Sequence, residues 1–192
     1  MKIVAIVQAR MGSKRLPGKV MRSVNGKSVI ELLLMRLSKS KLIDLIVVAT
    51  SKEPVNEPLI KHIEELGFFC EQGSEDDVLS RFYEVANKYK ADVIVRITGD
   101  CPVIDSELVD EVINGYLSSE TEYFSNVHPP TYPDGLDVEV FSREVLNKTN
   151  KEAKLLSDRE HVTSFIIQSN KFSIDGISYK DDLSRMRWTL DE

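Results

Sequence analysis

Ile3-Val4-Ala5-Ile6-Val7-Gln8-Ala9-Arg10-Met11-Gly12-Ser13-Lys14-Arg15-Leu16-Pro17-Gly18-Lys19 is the stretch whose reading decides the fold. Residues 3–7 are apolar without interruption and mostly β-branched, the pattern of a strand covered on both faces. The run then breaks directly into a loop carrying Arg10, Lys14, Arg15 and Lys19 beside two glycines and a proline. The chain as a whole has a formal net charge of −6, so four cations on one loop stand out against their background. Guanidinium forks and ammonium groups next to free backbone N–H groups suit a polyphosphate. A solvated basic turn is the plainer alternative. The position after a buried strand favours the ligand, because open α/β sheets bind at the carboxyl ends of their strands.

Working outward, strand-like and helical runs alternate. Ser28 and Glu31 form a capping box that predicts a helix from Val29 to about Ser38. A strand is expected over Ile43 to Thr50, a helix ending near Gly67, a short strand over Phe68 to Glu71, and a helix to about Tyr89 capped through Ser74 and Asp77. Val93 to Thr98 reads as a strand, and Asp105 as the cap of a helix reaching Ser118. Repeated β-α-β units imply a mostly parallel sheet with helices on both faces, a three-layer, Rossmann-like α/β fold. Four loops, at Ala9-Arg10, Thr50-Ser51, Gly73-Ser74 and Gly99-Asp100, would then share one edge. After Glu122 the pattern changes. Tyr123 to Val127 and Leu136 to Phe141 read as strands, while Ser142 and Ser157 (the latter with Glu160) read as helix caps. We expect a single domain over 1–192, its two halves (1–121 and 122–192) sharing one core.

Composition narrows the class. With 42% hydrophobic and 29% charged residues the chain suits one ordinary globular core, and its acidic balance argues against a nucleic-acid backbone as partner. No apolar run approaches a membrane span, and Met1-Lys2 leads straight into the first strand, so neither membrane partner nor leader is expected. Cys70 and Cys101 make no disulfide framework, and a reducing cytoplasm is the expected compartment. His62, His128 and His161 lack zinc-ligand spacing with each other or with the cysteines.

The loop fails the P-loop pattern, because Gly12 and Gly18 enclose five residues and Lys19 is followed by Val20. The G-x-G-x-x-G fingerprint is absent from it too. Instead Q-A-R-M-G-S-x-R-L-P-G-K-V resembles the signature loop of cytidylyltransferases of the spore-coat polysaccharide (SpsF-like) type, relatives of the synthetases of CMP-Kdo and CMP-sialic acid. The resemblance runs from the first strand to the last residue. It implies a nucleotidyltransferase fold and a homodimer that uses CTP and an acidic sugar acceptor, with residues 1–121 as the CTP-binding half and 122–192 as the acceptor-binding, dimerising half. Further chain follows the closing W-T-x-D-E motif in that family, which suggests a truncated chain or a short member here.

On this reading the triphosphate lies against Gln8, Ala9, Arg10, Gly12, Ser13, Arg15 and Lys19, with Ser74 and Thr98 also on the nucleotide side. Arg10, Arg15, Lys19 and Asp100 would carry the catalysis, and Lys14 sits where relatives vary. Asp100, in Arg96-Ile97-Thr98-Gly99-Asp100-Cys101-Pro102, is a hard oxygen ligand at a strand mouth, suited to Mg²⁺ or Mn²⁺. By itself it could equally be a turn aspartate, but the family's G-D-x-P pattern places a metal ligand there. Asp191 resembles the second metal aspartate. Asp134, Asp137 and Glu139, with Arg159, Glu160 and His161, form the expected acceptor set: carboxylates for sugar hydroxyls, Arg or His for an anion. Asp134-Gly135 is also an ordinary turn, and Glu160 could be a plain capping residue. Arg96 could face a ligand or pack on the sheet, and Cys101 reads as a buried neutral thiol that direct displacement does not need. Two other functions compete. A metal-dependent nucleotide-sugar glycosyltransferase would show a D-x-D tripeptide, which the chain lacks. A non-catalytic nucleotide-binding domain would need no pair of metal carboxylates.

Overall fold

The computed structural model describes residues 1–13 and 15–191, so Lys14 and Glu192 lie outside the described residues. In chain order the elements are β1 (Ile3–Gln8), a small hairpin of β2 (Ser23–Val24) and β3 (Lys27–Ser28), α1 (Val29–Leu37), β4 (Leu45–Ser51), α2 (Glu57–Glu65), β5 (Phe69–Gly73) and α3 (Val78–Lys88). There follow β6 (Val93–Thr98), α4 (Ser106–Ser118), β7 (Tyr123–Ser125), β8 (Glu139–Ser142), α5 (Arg143–Glu152), α6 (Leu156–His161), α7 (Ser164–Gln168) and β9 (Ile174–Gly176).

Seven strands form one sheet in the order β5-β4-β1-β6-β8-β7-β9. Every pairing is parallel except those of β8, which runs against both β6 and β7. β1 lies inside the sheet between β4 and β6, and its residues alternate between two cores as a pleated strand must. Ile3, Ala5 and Val7 point to a core filled by Leu33 and Leu37 of α1, Leu59 and Ile63 of α2, and Val109 and Val112 of α4. Val4 and Ile6 point to the opposite core, with Leu79 and Phe82 of α3, Leu146 of α5 and Ile166 of α7. Helices on both faces of a mostly parallel sheet make the three-layer α/β fold expected from the sequence. Among the described residues no helix is long and apolar enough to cross a membrane.

Several expected boundaries shift, each for a local reason. β4 starts at Leu45 because the exposed Asp44 is bound at the sheet's edge, its carboxylate accepting from the Ile3 N–H at 2.7 Å. Ser74 does not cap α3: Asp77 does, accepting from the Ser80 N–H, while the Ser74 hydroxyl accepts from Asp77 one turn earlier. β7 stops at Ser125 and β8 starts only at Glu139, because the buried Asn126 side chain replaces the ladder between them. Its Oδ1 accepts from the Val138 N–H, and its Nδ2 donates to the Leu136 carbonyl, both at 2.8 Å. Ser157 lies inside α6, which starts at Leu156 with no side-chain cap. Two features were not anticipated. β9 pairs alongside β7, and the Asn25-Gly26 turn, with φ of 52° and 80°, closes the β2–β3 hairpin.

Candidate active site

The chain moves outward from β1 through β4 to β5 on one side, then crosses to β6 on the other side of β1. Beyond the carboxyl ends of β1 and β6 lies the switch point where such sheets open a crevice. A cleft of about 470 Å³ occupies this place, within the usual size of a ligand pocket. Its floor is Gln8-Ala9-Arg10 from β1 and Thr98-Gly99-Asp100 from β6. The two loops touch: the Gly99 N–H donates to the Gln8 carbonyl at 2.8 Å, and a Cβ on Gly99 would sit 2.8 Å from the Ala9 Cβ. Only glycine allows that approach.

The basic loop is clamped at both ends. The Met11 N–H donates to Oδ1 of the buried Asn56 at 2.8 Å, and the Gly18 N–H donates to the Met11 carbonyl at 2.8 Å. Gly18, in the left-handed region, starts a short 3-10 turn over Lys19–Met21 that aims Lys19 into the cleft. The Lys19 Nζ donates to Asp100 Oδ2 and to Asp191 Oδ1, both at 2.6 Å. Burial alone would lower the Lys19 pKa, but the two carboxylates outweigh it and hold it above the usual lysine range. Burial would likewise raise Asp191, but Lys19, Thr189 and Arg15 hold it below the ordinary carboxylate value. Arg15 approaches Asp191 at 3.2 Å. Arg187 bridges Asp191 at 3.0 Å and Asp134 at 3.2 Å.

Asp191 arrives there because residues 183–191 fold back over the cleft. The Leu183 N–H donates to the Thr131 carbonyl, Trp188 to Asp134, and Leu190 to Asp100. Asp100 and Asp191 thus present two hard oxygen donors to one point. Among the described residues no third His, Cys, Asp or Glu joins them as a metal-holding group. This donor set suits Mg²⁺, which binds through one or two carboxylates and takes its other ligands from water and substrate phosphates.

Most of the expected residues do converge. Gln8, Ala9, Arg10, Ser13, Arg15, Lys19, Thr98 and Asp100 line the cleft on one side, and Asp134, Asp137, His161 and Asp191 on the other. Glu160 also lines it. A second, smaller hollow shares Thr98, Asp137 and His161 with the cleft and adds His128 and Thr163. At the α6–α7 junction the buried Val162 holds a φ of 58°, costly for a β-branched residue, between His161 and Thr163, which both line that hollow.

Four expected residues are placed otherwise. Gly12 and Ser74 are absent from the cleft wall, and Ser74 is an exposed turn residue. Arg159 is not on the wall either: its guanidinium binds Asp77 at 2.6–3.0 Å and the Asn150 carbonyl at 2.8 Å, tying α6 to α3. It therefore has no free face for an acceptor anion. Glu139 is off the main cleft and lines the smaller hollow, where it is 4% exposed and committed to Arg96 and to the Tyr123 hydroxyl. Burial would raise its pKa, but Arg96 and Tyr123 hold it below the ordinary glutamate value, so it serves as a structural counter-ion. Burial lifts the Cys101 thiol well above its usual range, as a neutral core thiol requires. The sequence reading missed Glu75, which pairs with Arg10 at 2.7 Å, and also Val78, Arg81, Arg187 and Thr189.

Asp137 is pushed up to about 6, first by burial and then by Asp134 and Glu139. A carboxyl whose pKa is higher folded than unfolded stabilises the fold in its protonated form. That contribution is complete below about pH 4 and is lost as pH rises through about 6. Asp137→Asn should therefore leave thermal stability unchanged near pH 4 and raise it above pH 7, by at most about 2 kcal/mol after allowing for solvent screening. Melting curves at the two pH values check this, and an equal effect at both would contradict it.

Comparison with known proteins fits this geometry. The cytidylyltransferase family description matches residues 4–180, nearly the whole chain. The chain belongs to the cytidylyltransferase family. Over its full length, and 79% of the relative's, it is 40% identical to an uncharacterised protein of Methanocaldococcus jannaschii. It is 36% identical to the spore coat polysaccharide biosynthesis protein SpsF of Bacillus subtilis, over 85% of this chain and 69% of that one. With a 3-deoxy-manno-octulosonate cytidylyltransferase of Chlamydia pneumoniae it shares 37% identity over 60% of this chain and 46% of that one. The structure of a cytidylyltransferase from Leptospira borgpetersenii superimposes with a TM-score of 0.96 at 32% identity, covering all of this chain and 82% of that one. As a cytidylyltransferase, the chain places its signature loop and its two aspartates around one cleft.

Proposed function

We propose that this cytidylyltransferase transfers CMP from CTP to a hydroxyl of an acidic sugar or related acceptor and releases pyrophosphate. The observation that carries the reading is the convergence of Lys19, Asp100 and Asp191 at the sheet's switch point, with Arg15 beside them. Lys19 and Arg15 neutralise the β and γ phosphates and the charge that builds on departing pyrophosphate. Asp100 and Asp191 would hold Mg²⁺, which supplies Lewis-acid polarisation of the phosphoryl oxygens. The acceptor sits toward Asp134, Asp137 and His161, where the smaller hollow continues the cleft. There His161 faces an acceptor anion, and Asp134 and Asp137 orient its hydroxyls. Asp137, with a pKa near 6, suits the role of taking the attacking hydroxyl's proton as the new oxygen–phosphorus bond forms and the bond to pyrophosphate breaks.

The acidic acceptor is supported by the octulosonate named for the Chlamydia relative, and a place in surface polysaccharide synthesis by the name of the Bacillus relative. A cytoplasmic homodimer completes the proposal. Exposed Leu155 and Leu156, the latter 84% accessible, give the second half an apolar contact for a partner copy. The direct test is pyrophosphate release with each of four nucleoside triphosphates and Mg²⁺ against a panel of acidic and neutral sugars. Release should require CTP and an acidic sugar together. Release with neutral sugars alone would overturn the acceptor class, and transfer of sugar from a nucleotide-sugar donor would favour the glycosyltransferase.

A further inference from the structure

At the carboxyl edge of the sheet, the segments that follow β1, β4 and β5 are joined by one closed circuit of hydrogen bonds beneath the basic loop. It starts at the Met11 N–H, which donates to Oδ1 of Asn56 at 2.8 Å. A backbone donor there fixes which way the Asn56 amide faces. Its Nδ2 therefore points to Ser51, the last residue of β4, and donates to the hydroxyl oxygen at 2.7 Å. Asn56 and Ser51 are both fully buried. With its oxygen accepting from Asn56, the Ser51 hydroxyl gives its hydrogen to the Glu75 carboxylate. Glu75 Oε1 accepts from Arg10 Nη1 at 2.7 Å, and the peptide link from Arg10 to Met11 closes the circuit. Burial would raise the Glu75 pKa, but Ser51 and Arg10 hold it below the ordinary glutamate value, so the acid is ionised at neutral pH.

An ionised acid 2.7 Å from a cation meant for phosphate works against that cation's affinity. A fold that keeps it there has a compensating use for it. Arg10 lines the cleft and is one-third exposed, whereas neither Glu75 nor Ser51 lines it. We propose that Glu75 is a positioning residue for Arg10: the circuit through Ser51, Asn56 and Met11 holds the guanidinium by Nη1 and presents its Nε and Nη2 to a nucleotide phosphate. Those two nitrogens form the edge that grips an oxyanion with parallel hydrogen bonds. A free arginine loses much rotamer freedom when it grips an anion, and one held beforehand has already lost it. Glu75 is itself fixed from behind by a buried hydroxyl, which makes it a rigid hook. This role rests on the cytidylyl-transfer reading above.

The test is calorimetric binding of CTP with Mg²⁺ to the natural protein and to five variants, with ligand-free melting curves of each. The variants are Glu75→Gln, Glu75→Ala, Ser51→Ala, Arg10→Met and the double variant Arg10→Met with Glu75→Ala. Arg10→Met should bind CTP about ten-fold more weakly, as one lost charge-assisted contact predicts. Glu75→Ala should lose about five- to ten-fold, although it removes an acid from beside the phosphates, and Ser51→Ala about three-fold. Glu75→Gln can still accept from Arg10 and should stay within about two-fold of the natural protein. The double variant should bind no more weakly than Arg10→Met, because Glu75 acts only through Arg10. Tighter CTP binding by Glu75→Ala would make Glu75 a competitor of the phosphates and overturn the role. An additive loss in the double variant, or a Glu75→Gln as weak as Glu75→Ala, would overturn it too. So would lower melting temperatures in Glu75→Ala and Ser51→Ala with unchanged CTP affinity, the mark of a structural link alone. Natural CTP affinity in Arg10→Met would remove the role and leave cytidylyl transfer standing. No binding of CTP by the natural protein would overturn both readings together.

Discussion

Asp100→Asn is expected to cut turnover by about 10²–10³-fold while leaving the fold intact. Asparagine keeps the size of the side chain and still accepts a hydrogen bond from Lys19, so the ligand-free cleft holds its shape. What it loses is the charge needed to hold a divalent cation against phosphate oxygens. The loss should therefore fall on kcat more than on KM for CTP. Activity of the natural protein should vanish in EDTA and return with Mg²⁺ or Mn²⁺, and the variant should recover little at any metal concentration. Steady-state kinetics over a metal titration reads all of this. Full activity in chelator would remove the metal role from both aspartates. Asp191 is held by Lys19, Arg15, Arg187 and Thr189 at once, so its replacement would also loosen the segment it anchors.

Lys19→Met should be nearly as damaging, with a different signature. Turnover should fall by about 10²-fold or more, and CTP should bind at least about ten-fold more weakly, as one lost charge-assisted contact predicts. Stability should change too. Lys19 is the cation between two largely buried carboxylates. Its removal leaves Asp100 facing Asp191 without a counter-ion of its own, while Asp191 keeps Arg15 and Arg187, a loss of about 2–4 kcal/mol without divalent ions. If Mg²⁺ binds the same carboxylates as proposed, adding it should restore part of the lost melting temperature in the variant and do much less for the natural protein. Unchanged melting with and without metal would show that the three side chains are not coupled. Arg15 is more exposed and has one ion-pair partner among the described residues, so Arg15→Ala should weaken CTP binding without this stability effect.

The parts of the site that were legible in the sequence are those carried by contiguous motifs. The β1 loop follows an unbroken apolar run and the Gly99-Asp100 turn follows a strand that is apolar but for Arg96 and Thr98, so residue type and position agreed. Asp105 and Ser142 were readable because a cap acts on N–H groups two or three residues away. Arg159 and Glu139 show why the acceptor side was harder. Both are polar residues near the expected pocket, but each is neutralised by a partner 82 or 43 positions away, and nothing local to the chain announces such a partner. Arg81 was hidden for the opposite reason. A cation on an amphipathic helix reads as part of its solvated face, and only the three-dimensional packing of α3 against β5 shows that it is buried. The Asn25-Gly26 hairpin did carry a usable signal in its turn dipeptide.

The bond between Lys19 and Asp191 spans 172 positions. Contacts of such separation carry a large loop-closure cost and tend to form after local ones. The signature loop and the Asp100 turn can settle as soon as β1, β4 and β6 pair, but Asp191 reaches them only when residues 183–191 lie down across the cleft. A molecule with both cores packed and this strap undocked would be well folded by any spectroscopic measure and yet lack half of the proposed metal-binding pair. Competence for the proposed chemistry would thus be the last property this chain acquires on folding, and the first it would lose under mild stress.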